Sequence, residues 1–461
     1  MWKEVVLSIR PSTLAALVVL CAVLTLTACG CSRATTPAEK PAARAADTAA
    51  GAAKANAAPA VRVSAEKTEA AEPAAAAGLD GTVYVVWIEH RGREADVWLA
   101  HLDGEGKPLG AHARVNPNAG EATAWHGDPP TVAVSREGIV YVGWTARDER
   151  VPRAGTLHLS ASRDGGRSFG PPAKVNDDRK PGVHGMHSLA VSADGRVYVA
   201  WLDERNVEAP KPSAGGPVHA HTESNREVYF ASSEDGGRTF SPNRKVASEV
   251  CPCCKTSLAV GEDGRVYVGW RQVLPGDFRH VAVASSVDGG QTFSSAAVVS
   301  DDRWELKGCP VSGPALAAGG DGFLRVLWYT AGEAGQPGLY WSESHDGGRT
   351  FSQSRMLAET GGRGTPTLLT GGGRGLTTVW EGADGDSPAL MQTQVGGDGR
   401  VTTATIVTGG GELPAAAEAA GQLFVAYITK DGEERGVWMV KVRQSGFTGS
   451  VTKIALRQEK S

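Results

Sequence analysis

Seven copies of one pattern constrain this chain more than any other feature: a glycine, a short apolar alternation, then an aromatic residue. GTVYVVW ends at Trp87, GIVYVGW at Trp144, GRVYVAW at Trp201, GRVYVGW at Trp270 and GFLRVLW at Trp328. GLTTVW ends at Trp380 and GQLFVAY at Tyr427, so successive copies lie 57, 57, 69, 58, 52 and 47 residues apart. Alternation of β-branched and aromatic residues at period two marks a strand. Shorter strand-like runs precede the copies, as at 131–135, 188–192 and 257–261, and others follow, as at 156–162, 228–233, 281–286 and 338–344. Short fourth runs come next, as at 173–176 and 244–247. Four strands in each unit of roughly 50 residues predict an all-β propeller of four-stranded antiparallel blades, because radial repetition leaves few open edges. Seven copies predict seven blades.

Ring closure is legible too. Val61-Arg62-Val63-Ser64 resembles the fourth strands Ala113-Arg114-Val115-Asn116 and Ala173-Lys174-Val175-Asn176. It is expected to complete the last blade beside 437–442, which makes 61–461 a single domain. Length alone would suggest about three domains, but a tandem repeat overrides that prior. The 59 glycines and 12 tryptophans suit a turn-rich β protein. With 47 Lys and Arg against 51 Asp and Glu, the net charge of -4 argues against a nucleic-acid partner. A closed ring needs no second subunit, so a monomer is expected.

The chain opens with Lys3 and Arg10 ahead of an apolar run at 14–24, followed by Leu26-Thr27-Ala28-Cys29. A basic start, a short apolar core and a small residue before the cut describe an export signal. The run is short for a membrane span. Leu-Thr-Ala-Cys resembles the lipobox of bacterial lipoproteins. That resemblance implies removal of residues 1–28 and a lipid anchor on Cys29, which would hold the protein at a membrane surface of the bacterial cell envelope. Gly30 in place of Asp favours the outer membrane. Residues 29–60, rich in Ala and Pro, are read as a disordered tether, since such a segment cannot bury enough apolar surface to offset its ordering entropy.

A second motif follows the third strand of four units. It reads SRDGGRSF at 162–169, SEDGGRTF at 233–240, SVDGGQTF at 286–293 and SHDGGRTF at 344–351, with degenerate versions at 101–106 and 395–399. These octapeptides resemble the Asp-box of the BNR-repeat sialidase superfamily. Asp164, Asp235, Asp288 and Asp346 are read as turn residues: an aspartate accepts from nearby backbone amides, and the paired glycines permit positive φ. The resemblance places these turns away from the ligand pocket. Sialidases have six blades, which leaves six as the alternative count.

The loops just past each tryptophan should meet around a central mouth. The resemblance implies three arginines gripping a substrate carboxylate, a Tyr–Glu nucleophile pair and an aspartic acid; sialidases depart from the two-carboxylate scheme in using Tyr. Arg147, Arg205 and Arg271 fit the first role, since a planar guanidinium holds a carboxylate bidentately. Tyr329 and Glu381 fit the second, and Asp148 or Asp203 the third. The alternative is local pairing of these arginines with Asp148, Glu149, Asp203 and Glu204 on a solvated rim. The family's Arg-Ile-Pro motif is not found.

The loops leading into the first strands carry His126, His184, His187, Cys251, Cys253, Cys254 and Cys309, and an insertion at 207–227 adds His219 and His221. In an exported protein a disulfide to Cys309 from Cys251, Cys253 or Cys254 is one expectation. Copper or zinc on thiolates and imidazoles is the other, although the fold implied requires no cofactor. Three functions follow: a sialidase-like hydrolase of acidic glycans, a non-catalytic propeller binding a glycan or protein, and a metal- or redox-handling propeller.

Overall fold

A computed structural model describes residues 53–443, except 124, 149, 152–153, 208–224, 333–334, 361–365, 371–374, 397–399 and 433, together with 451–452. The export signal, Cys29, Glu149, His219 and His221 lie outside the described residues. Among those described there is no helix. Four-stranded antiparallel meanders follow one another. The first comprises Glu69–Ala77, Val83–Arg91, Glu94–Leu102 and Ala113–Arg114, and the second Thr131–Val134, Val140–Arg147, Gly155–Ser162 and Ala173–Lys174. The third comprises His184–Val191, Val197–Asp203, Arg226–Ser233 and Arg244–Val250. A single bridge from Val250 to Gln272 joins it to the fourth, made of Ser257–Val260, Val266–Leu274, Phe278–Ser286 and Ala297–Val298. The fifth comprises Ala315–Ala318, Leu324–Thr330, Gly338–Ser344 and Arg355–Glu359, and the sixth Thr367–Thr370, Leu376–Asp384, Ser387–Val395 and Val401–Thr408. The last runs Glu412–Ala419, Gln422–Asp431, Glu434–Arg443, and takes Val61–Arg62 as its outer strand.

The first strands are neighbours in cyclic order, and the last meander's first strand lies against that of the first. Five of them line an open cavity of about 600 Å³, with Ala76, Ala190, Ala259, Leu316 and Ala417 on its wall. This is a propeller-like arrangement. Its first strands are alanine-rich because small side chains let several strands converge on one axis.

The repeat aromatics explain the spacing of the copies. All seven lie on second strands, and Trp87, Trp144, Trp201, Trp270 and Trp328 are fully buried. Several face another aromatic across the pair, as Trp87 does Trp98, Trp201 does Tyr229 and Trp328 does Tyr340. The core clusters mix neighbouring meanders: Trp144 packs with Val86 and Leu99 of the first, and Trp270 with Phe230 of the third. Each large indole thus fills the wedge between adjacent sheets.

Asp164, Asp235, Asp288 and Asp346 all occupy the turn from third to fourth strand. At Asp235, Ser233 Oγ donates to Oδ1 (2.8 Å), the Arg238 and Thr239 amides donate to Oδ1 (3.0 Å each), and Thr239 Oγ1 donates to Oδ2 (2.6 Å). The same bonds recur at the other boxes. Each box also abuts the preceding meander. A Cβ on Gly290 would lie 2.0 Å from Phe230, so only glycine permits that approach. Strand direction puts these turns at the end where first strands finish.

The chain joins the fold earlier than the tether boundary of 60 suggests. Ala53–Lys54 pairs in parallel with Ala404 and Thr405, and the Ala58 amide donates to Lys441 O (2.9 Å). Extended backbone of any composition can satisfy an open sheet edge.

Candidate functional site

The opposite end, where first strands begin, is the chemically rich one. Here the backbone repeatedly turns left-handed. Glu72 (φ 53°), Met186 (φ 50°) and Leu413 (φ 50°) sit in bulges of the first, third and last meanders' first strands. Gly127 (φ 81°) and Val311 (φ 48°) hold like positions before the second and fifth. A β-branched valine at such φ is a genuine outlier, and strain of this kind collects at functional sites. Bulges re-aim side chains, and one of them presents Glu72 to the Gly127 amide.

Glu72 is buried, and its Oε2 accepts the Gly127 amide (3.0 Å). His126 Nδ1 lies 3.5 Å from its Oε1. Burial pushes the Glu72 pKa up to about 7 against the opposing amide bond. Glu381 repeats the device, accepting the Leu413 amide at Oε1 (2.7 Å), and burial raises its pKa as well. Behind Glu72 stand Asp128, His187 and Lys255. His187 Nδ1 lies 3.7 Å from Asp128 Oδ1, and both residues are buried. Burial disfavours the Asp128 carboxylate, but His187 and Lys255 outweigh it and lower the pKa. Lys255 Nζ donates to His187 O, and loss of water brings its pKa down to about 8. A Cβ on Gly313 would meet Lys255 O at 2.1 Å, so glycine lets the next loop close over this lysine.

Beside this group opens a cavity of about 270 Å³, walled by Trp125, His126, Met186, Arg226, Arg279 and the Cys253–Cys309 disulfide. The disulfide ties the loops entering the fourth and fifth meanders. Cys251 and Cys254 are free and buried, with sulfurs 3.4 Å apart. The sulfurs of Cys251, Cys253 and Cys309 lie within 4.8 Å of one another, so these three could hold a soft metal in their reduced form. No histidine shares that group among the described residues. His126, with Glu72 beside it, reaches the cavity wall; His184 and His187 also have carboxylate partners.

The residues named for substrate binding take separate places. Arg147 is exposed, and its Nη1 lies 3.4 Å from Arg93 O. Arg205 stacks on Tyr229 (4.1 Å) and donates to Asp203, Asp177 Oδ1 (2.7 Å) and Asn243 Oδ1 (2.8 Å). His184 completes this network, with Nε2 3.2 Å from Asp178 and 3.4 Å from Asp203. Burial opposes the imidazolium there, but the two aspartates prevail and raise its pKa. Arg271 is fully buried, with Nε donating to Ser312 O (2.9 Å) and Nη2 to Tyr329 O (2.8 Å). The three guanidiniums share no hydrogen-bond partner. The Tyr329 ring packs edge-on against Trp304 (5.6 Å), which also carries Arg271. Asp148 is tied to Arg150 by its side chain and amide (3.3 and 2.8 Å). Polar residues two places past a tryptophan serve the indole itself. Asp203 accepts the Trp201 indole N–H (2.7 Å) and Gln272 that of Trp270 (2.7 Å). Sequence reasoning picked out His126, His187 and Glu381 but missed Glu72, Asp128 and Lys255. Their equivalent placement before or early in successive first strands was the available signal.

No protein-family model and no curated protein matches the chain. Solved structures do. An ulvan lyase, described as a new family of polysaccharide lyase and solved bound to -[GlcA(1-4)Rha3S]-, gives a TM-score of 0.54 at 12% identity, covering 86% of this chain and 98% of that one. A Streptococcus pneumoniae sialidase gives 0.46 at 10% identity, over 86% and 98%. A Hadza microbial sialidase gives 0.46 at 13%, over 78% and 77%. At such identities a likeness speaks for architecture alone, and the 0.54 match supports the propeller-like fold described above.

Proposed function

We propose that this is an exported lipoprotein, anchored through Cys29, whose seven-bladed propeller binds and processes acidic glycans at the axial mouth. The blade count is supported by the cyclic order of the first strands. The observation that carries the functional reading is Glu72: a buried carboxyl with its pKa near neutrality, beside the imidazole of His126 at the edge of a cavity. A carboxyl titrating near the working pH can both give and take a proton, which glycosidic bond cleavage needs. Arg279, on the cavity wall with an Nη1 that has no hydrogen-bond partner, favours an anionic sugar. Arg147, Arg205 and Arg271 take no part as a triad, because each has its own partners.

The decisive experiment is a panel of sialosides, polyuronates and neutral glycans, followed by reducing-end release and by the ultraviolet absorbance of unsaturated uronate. Wild-type protein should bind and cleave an acidic member, and Glu72→Gln should still bind while losing turnover at least ~100-fold. Equal turnover in both proteins, or no binding of any acidic glycan, would sink the reading. Membrane attachment is tested by detergent-phase partitioning of wild type and Cys29→Ala.

A further inference from the structure

The four cysteines at the mouth divide into two unlike pairs. Cys253 and Cys309 are bonded to each other and line the cavity. Cys251 and Cys254 are reduced, each 1% exposed, and sit directly behind them. Cys251 Sγ lies within 4.8 Å of both disulfide sulfurs and 3.4 Å from Cys254 Sγ. A purely structural staple would need no second pair of thiols against it. Two cations also face this cluster. Arg271 and Arg279 both act electrostatically on Cys251, and each keeps a buried Nη1 with no hydrogen-bond partner. Buried guanidinium donors left open beside sulfur suit an anion that forms there.

We propose that the four cysteines form a thiol–disulfide relay, in which the cavity-lining Cys253–Cys309 pair exchanges with small exogenous thiols and the buried Cys251–Cys254 pair exchanges with it in turn. The internal step conserves electrons. Cys251 thiolate attacks Cys309 Sγ, and Cys253 leaves as thiolate. Cys254, giving up its proton, then attacks Cys251 Sγ, and Cys309 leaves. The products are a Cys251–Cys254 disulfide and two thiols at Cys253 and Cys309, which take up the protons that Cys251 and Cys254 released. Attack at Cys309 avoids a bridge between residues two apart in sequence. Cys251 is placed to attack by position: its sulfur lies within 4.8 Å of Cys309 Sγ and 3.4 Å from Cys254 Sγ, the group that acts second. The outer step is ordinary: an exogenous dithiol is oxidised to its disulfide while Cys253–Cys309 gains two electrons and two protons. A cavity of about 270 Å³ admits a small thiol and excludes a folded protein.

The relay is independent of glycan processing, and its test uses no glycan. The purified protein is equilibrated with reduced and oxidised glutathione at several ratios, acid-quenched, alkylated and mapped by mass spectrometry. The expected result is a Cys251–Cys254 disulfide alongside Cys253–Cys309 at intermediate ratios, both disulfides at the most oxidising ratio and neither at the most reducing. Cys254→Ser should accumulate the Cys251–Cys309 intermediate with Cys253 alkylated, and Cys251→Ser should show Cys253–Cys309 only. Should Cys254→Ser fail to fold, the wild-type map alone decides. Alkylation of Cys251 and Cys254 at every ratio would overturn the proposal. So would a stoichiometric metal holding all four thiols in protein purified without a His tag.

Discussion

Replacing Glu72 by Gln isolates a buried carboxyl of the mouth whose pKa is raised to about 7. Burial holds its pKa at about 7, whereas the unfolded chain returns it to 4.5. Between those values the folded protein keeps a proton that the unfolded chain has released. Stability from this group is therefore full below pH 4.5 and is lost as pH rises through about 7. A difference of about 2.5 pKa units corresponds to about 3 kcal/mol over the whole range, most of it between pH 5 and 8. The substituted carboxamide would keep an oxygen for the Gly127 amide and carry no charge. The assay is urea unfolding of both proteins at half-unit steps from pH 5 to 8. Relative to wild type, E72Q should gain about 2–3 kcal/mol across that window, whatever its stability at pH 5. Comparing the two proteins removes the contributions of groups common to both, His184 among them. Parallel curves would refute the claim that this carboxyl is desolvated, and with it the assignment of Glu72 as the proton carrier.

Asp235→Ala removes the acceptor for two amides and two hydroxyls in an exposed turn, and should cost about 1–2 kcal/mol by thermal unfolding with glycan binding unchanged. Arg205→Met leaves buried Asp203 with the Trp201 indole N–H and His184. It should cost about 3 kcal/mol once His184 is neutral, and less at pH 6, where the raised pKa of His184 keeps it charged, as urea midpoints against pH would reveal. Deleting residues 53–64 strips the outer strand from Val437–Met439 and the burial of Val63. It should cost at least about 3 kcal/mol, with partial rescue by a synthetic peptide of residues 57–66 read by thermal shift.

The architecture was readable because its signal is repeated and local. Each Trp marks a second strand, and each Asp-box carries its turn chemistry within eight residues. The mouth was less readable for a physical reason. Glu72, Asp128 and Lys255 come from runs with no shared motif, and bulges at Glu72 and Met186 decide which way side chains face. A bulge shifts the register by one residue, and period-two patterning cannot foresee it. The residues past each tryptophan misled in the opposite sense. They are polar and repeated, but Asp203 and Gln272 are spoken for by an indole N–H, and Arg205 by three neighbours. Polar repetition measured the needs of buried tryptophans as much as those of a ligand.

Val61–Arg62 docks on Trp438 and Met439, near the opposite extremity of the chain. Synthesis delivers that docking partner only after six intervening meanders, so this early segment must wait unpaired until the last of the seven is made. Final locking then depends on a contact of very long sequence separation, which makes it slow. A ribosome stalled within the last meander would release an open, edge-exposed ring, prone to pairing with its siblings and readily cut by proteases.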